Sequence, residues 1–179
     1  TGNRLKSIAR IMAAKTQLSM DRQVFFLNRG GWDHHKELLG SQESLYAELN
    51  DSIAAFWTEL GHLGLQNDVV LFTASDFGRT RTSNGLGSDH AWGGNHFVVG
   101  GDVNGSKIYG QYPVLAQSGP LDVGRGRLLP TTSIDAYQSE LASWFGVPPS
   151  ELSTIFPNAS NFFDPISTPY PLGILQPSL

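Results

Sequence analysis

The sequence predicts an α/β fold, a three-layer sandwich built on a mostly parallel sheet. Two apolar runs predict it, 22–28 (RQVFFLN) and 68–74 (DVVLFTA). Their apolar residues are continuous rather than alternating, as in strands covered on both faces. The third observation is the segment between them, where Leu45, Leu49, Ile53, Phe56, Leu60 and Leu63 recur at helical spacing. A strand, a long helix and a second strand form a right-handed crossover, which makes the two strands parallel.

Taken in order, residues 5–20 read as a helix. Leu5, Ile8, Ile11, Met12 and Leu18 share a stripe, and neither Gly nor Pro interrupts it. The strand at 22–28 ends at Gly30-Gly31. The long helix is expected over 42–64, with Ser41 as N-cap and Gly61 and Gly64 as stops. After the strand at 68–74 the chain becomes loop-like, with turns at Asn84-Gly85 and Gly87. Residues 95–99 read as a third strand and 102–109 as a short hairpin. No regular structure is expected over 111–127. Thr132 and Asp135 fit a capping box for a helix at 134–145, whose stripe is Ile134, Tyr137, Leu141 and Trp144. Pro148-Pro149-Ser150 opens one more helical turn to Ile155. The tail 156–179 holds five of the ten prolines and is expected to wrap over the surface. No repeat or composition shift divides the chain, so 1–179 reads as a single domain.

Bulk properties exclude several functions. Of 179 residues, 40% are hydrophobic and 16% charged, enough apolar content to build a core. The net charge of −4 offers no basic excess for phosphates, and no Lys/Arg run is present, which argues against nucleic acid as partner. The absence of cysteine removes disulfides, thiolate metal sites and cysteine nucleophiles. No apolar stretch is long enough to span a bilayer.

Two clusters carry the candidate chemistry. Trp32-Asp33-His34-His35 follows the first apolar run. The Gly-rich stretch from Ser75 to His96 follows the second and contains Asp76, Asp89, His90 and His96. Parallel strands would deliver both clusters to one edge of the sheet, where open α/β sheets bind ligands. Carboxylate oxygens with imidazole nitrogens suit zinc or a harder divalent cation, so Asp33, His35, Asp76 and His90 are the expected metal ligands. His34 and His35 point in different directions, so only one of them is expected as a ligand. Asp89 can orient a ligand histidine, and His34 and His96 are further candidates to support a ligand or hold an anion. Arg79 and Arg81 can hold an anionic group through paired N–H donors. Gly93-Gly94 can turn backbone N–H groups toward an anion. Each residue also has a structural reading. Asp33 can cap a turn, Asp76 can pair with Arg79, and His96 can serve the fold at a strand start. Trp32 and Trp92 can stack on a ring or cover the edge of the core.

The words GGWDHH at 30–35, ASDFGRTR at 74–81, GSDHAWGGNHFVVGG at 87–101, TTSIDAY at 131–137 and VPPSELSTIFPN at 147–158 occur in this order. With them the chain resembles, from about Gln23 to Asn158, a bacterial family of unknown function. That family is often labelled sulfatase-like, commonly carries twin-arginine export signals and is grouped with the alkaline phosphatase-like superfamily. The resemblance implies an alkaline phosphatase-like sheet, incomplete at its N-terminus, and a periplasmic or exported protein. It implies metal-dependent hydrolysis of phosphate or sulfate esters, with zinc, manganese or calcium held by Asp33, His35 or His34, and His90. Asp76 matches a ligand of a second metal, but Phe77 stands where a histidine would follow. The nucleophile and an N-terminal Asp would lie outside this chain. The alternative is a non-catalytic relative that binds a ligand or a partner protein and has lost the second metal. If the N-terminal part of the sheet is lost, the uncovered edge is expected to favour self-association.

Overall fold

The computed structural model describes residues 1–175. Its regular elements are helices α1 (Gly2–Ala13), α2 (Leu38–Leu63), α3 (Ile134–Phe145) and α4 (Pro149–Ile155), and strands β1 (Val70–Phe72), β2 (Gly78–Ser83), β3 (Ser88–Ala91) and β4 (Val98–Gly100). The strands form two small two-stranded sheets, β1 with β4 and β2 with β3, both antiparallel. The expected three-layer sandwich with a mostly parallel sheet is therefore not the fold of the described residues.

The reason lies in the two runs that were expected to pair. Among the described residues, 22–28 join no ladder. Their side chains alternate between half-buried and open, and Val24 and Phe26 remain 77% and 88% exposed. The second run contributes β1, whose partner comes from downstream: Val70 faces Gly100, Leu71 faces Val99 and Phe72 faces Val98. An unbroken apolar run marks chain that can be covered on both sides. It does not say which neighbour covers it.

Contacts divide the chain into two compact units. The first comprises Thr1–Val69 and Thr82–Asp89. Here α1 packs on α2, burying Leu5, Ile8 and Ala9 of α1 and Ser52, Phe56 and Leu60 of α2. The α2 stripe faces inward as expected, and Gly64 stops the helix in the left-handed region at φ 68°. Two bounds move. Helix α1 ends at Ala13, well short of Met20, and α2 starts at Leu38 rather than residue 42. No capping side chain marks that start, and Glu37 takes a left-handed conformation at φ 50°.

The second unit comprises Val70–Arg81 and the chain from His90 onward. Its core is Tyr137, Ile174 and Leu175, with Val70, Val98 and Trp144 packed against them. Helix α3 spans the expected residues, and Gly146 ends it at φ 102°. Its cap is Ser133, whose Oγ accepts the Ala136 N–H at 3.0 Å, rather than the expected Thr132 box. Its buried face is Ala136, Tyr137, Ser139 and Glu140, while Ile134 is 47% exposed. The tail does more than wrap the surface. Glu140, fully buried, accepts the N–H groups of Leu172, Gly173 and Leu175 at 2.9, 3.1 and 2.7 Å. That clasp brings Ile174 and Leu175 into the core. The last four residues of the expected tail lie outside the described residues. The hairpin expected at 102–109 is absent; Val103 bridges instead to Leu175.

The stretch 111–127, where no regular structure was expected, is ordered around Asp122. Its carboxylate accepts the N–H groups of Ser118, Gly124 and Gly126 at 2.9, 2.8 and 3.0 Å. Those bonds, with Ser118 the largest contributor, hold its carboxyl below the usual aspartate range. A lowered pKa adds stability above the unfolded value, about 3.9, and loses it as pH falls through the folded value. Acid titration followed by fluorescence should therefore show a steeper acid limb for the wild type than for Asp122→Asn. Identical limbs would remove Asp122 from the acid response.

Among the described residues, no helix is long and apolar enough to cross a membrane.

Candidate metal site

The first cluster sits on the loop 32–37 that leads into α2. Its support is the tip of the β2–β3 hairpin. Asn84 shapes that tip: its Oδ1 accepts the N–H groups of Leu86 and Gly87 at 3.1 and 2.8 Å. The tip and the loop then exchange backbone bonds, Glu37 N–H to Leu86 O at 3.0 Å and Ser88 N–H to His34 O at 3.3 Å. Gly87 makes this approach feasible. A Cβ there would lie 2.6 Å from the His35 carbonyl carbon and 2.7 Å from the His34 oxygen.

The approach brings Asp89 to His35. His35 Nδ1 lies 3.2 Å from Asp89 Oδ1, and His35 Nε2 lies 2.9 Å from Asp33 Oδ1. Asn84 Nδ2 donates to the same Asp89 oxygen at 3.0 Å and to the His35 carbonyl at 3.3 Å. The two histidines differ in burial and in what they face. His34 is buried, whereas His35 is exposed between two carboxylates. A neutral imidazole has one N–H to donate and two carboxylates to serve. The second contact is met either by an imidazolium, whose two ring nitrogens both donate, or by a cation held between a ring nitrogen and a carboxylate. With Nδ1–H given to Asp89, the position for that cation is between Nε2 and Asp33.

Asp33, His35 and His90 are exposed, and each carries one atom able to ligate a metal. Asp33 and His35 belong to the first unit and His90 to the second.

The remaining expected residues lie in the second unit. Asp76 is exposed just beyond β1 and belongs to no group of three potential ligands among the described residues. Phe77 stacks on His90, with ring centres 4.3 Å apart and 15° between planes. The guanidinium of Arg79 lies over the same ring, 5.7 Å from its centre. Arg81 is exposed, and its backbone N–H donates to Gly126 O at 3.0 Å. Gly93 cannot offer its N–H to an anion as expected, because that N–H donates to Leu128 O at 3.1 Å. His96 caps the end of β1: its Nδ1 lies 3.3 Å from Thr73 Oγ1, and its ring stacks on Tyr137. Burial lowers the His96 pKa and raises that of Tyr137, whose hydroxyl donates to Thr73 O at 3.2 Å. Both serve the local fold.

Sequence reasoning read Asn84 only as a turn marker and missed its second role as the brace of Asp89. The available signal was the spacing Asn-Gly-Leu-Gly-Ser-Asp, a turn followed at once by an acid.

A family model, Protein of unknown function (DUF1501), matches residues 3–123, more than half of the chain. This agrees with the resemblance as far as a family of unknown function, and it links the chain to neither sulfatases nor alkaline phosphatases. No curated protein matches, and no solved structure matches.

Proposed function

We propose that this chain, which belongs to the DUF1501 family of proteins of unknown function, binds a divalent cation through Asp33 and His35 and uses it on phosphate or sulfate esters outside the cytoplasm. The observation that supports this reading is the His35 ring set between two carboxylates, 2.9 Å from Asp33 and 3.2 Å from Asp89. Asp89 would fix the tautomer and orientation of the ligand ring, with Asn84 holding Asp89 in turn. A cation at this exposed position would neutralise the non-bridging oxygens of an ester and acidify a bound water. The protein residues supply binding, orientation and the fixed ring. The metal would supply the Lewis acid.

Titration calorimetry of chelator-stripped protein with zinc, manganese and calcium chlorides tests the metal. One saturable site is expected. His35→Ala and Asp33→Asn should abolish it, and Asp89→Asn should weaken it about 10- to 100-fold. His90→Ala decides whether the residue that follows Asp89 adds a donor. Absence of binding, or binding untouched by His35→Ala, would remove the metal from this chain.

One observation favours the second reading, a non-catalytic ligand or partner binder. Phe77, which stands where the resemblance places a ligand histidine, is engaged by both the His90 ring and the Arg79 guanidinium. That ring cannot ligate a metal. Turnover of an aryl phosphate or aryl sulfate that disappears with Asp33→Asn would select the catalytic reading. Metal binding without turnover would select the other.

A further inference from the structure

We infer that residues 22–28 pair antiparallel with the same segment of a second copy of this chain, about a twofold axis at Phe25. This inference is independent of the metal. The backbone N–H and C=O groups of residues 22–27 have no hydrogen-bond partner among the described residues. The side chains nevertheless alternate as in a strand, with Gln23, Phe25 and Leu27 half-buried and Val24 and Phe26 open. An apolar segment with unsatisfied backbone groups is a template for another strand.

The sequence selects the partner and the register. A pairing that keeps open residues opposite open ones must place residues of equal parity across from each other. Of the registers that do so near the centre, the one about Phe25 sets Val24 opposite Phe26 and Asp21 opposite Arg29. Shifting the axis by one residue either way loses that ion pair: Asp21 then meets Leu27, or Gln23 meets Arg29. A parallel, in-register pairing would stack Asp21 on Asp21 and Arg22 on Arg22, which is repulsive. The segment is thus self-complementary in one antiparallel arrangement, and twofold symmetry makes the ion pair twice. Arg29 already holds Glu48 at 2.6 Å, but its guanidinium has five N–H donors and can take a second carboxylate.

Sedimentation equilibrium on the full chain should show a monomer–dimer equilibrium. The chain has no cysteine, so Phe25→Cys reports the axis directly: oxidation should give a covalent dimer, while Ser150→Cys should not. If Phe25→Cys does not fold, a mixture of Val24→Cys and Phe26→Cys chains serves instead, because both positions are exposed and face each other in this register. Asp21→Lys should weaken the dimer about five- to thirtyfold, since two attractions become repulsions. A chain that stays monomeric, a dimer that Phe25→Cys or the Val24→Cys/Phe26→Cys mixture does not link, or one indifferent to Asp21→Lys would each overturn the proposal.

Discussion

Glu140→Ala is expected to remove about 3–5 kcal/mol of stability, the largest effect of any single substitution considered. The Glu140 carboxylate is fully buried and accepts three backbone N–H groups, from Leu172, Gly173 and Leu175. Each N–H left without an acceptor costs roughly 1–3 kcal/mol when water cannot replace it. The loss would also spread. Those bonds fix the chain that carries Ile174 and Leu175 against Tyr137 and completes the core of the second unit. Glu140→Gln separates the bonds from the packing. It keeps the shape but turns one acceptor oxygen into a donor, so it should lose part of the stability rather than most of it. Urea unfolding of both variants measures this. An alanine variant within 1 kcal/mol of wild type, the range of a typical single substitution, would show that the clasp contributes little.

Gly87→Ala is expected to weaken metal binding at least about tenfold and to cost about 2–3 kcal/mol. The added methyl group would lie 2.6 Å from the His35 carbonyl carbon and 2.7 Å from the His34 and His35 oxygens. These are backbone atoms and cannot rotate away, so the hairpin tip must move off the loop. That movement would separate Asp89 from His35, although Gly87 touches neither side chain's chelating atoms. Calorimetric metal titration and thermal unfolding on the same samples test both halves. Unchanged affinity in a destabilised variant would mean that Asp33 and His35 form the site without Asp89. An unchanged melting temperature would mean that the contact is not formed.

The sequence by itself determined those features that are set within a few turns of chain. The α2 stripe from Leu45 to Leu63 faces inward, and α3 starts at Ile134 and ends at Gly146 as expected. Helical periodicity and glycine stops act between near neighbours, so no distant residue is needed to read them. The composition of the candidate site was also legible, since an acid and two histidines behind a glycine pair stand out in any arrangement. What covers an apolar run was not legible. Residues 22–28 and β1 carry the same pattern, yet among the described residues one joins no strand and the other is antiparallel to β4. Ladder bonds join backbone groups, which are alike in every residue, so pairing is chosen by which segments the tertiary packing brings together. The same holds for His35. Only the docking of the hairpin tip, with Gly87 free of a side chain, set Asp89 opposite its ring and left His34 buried.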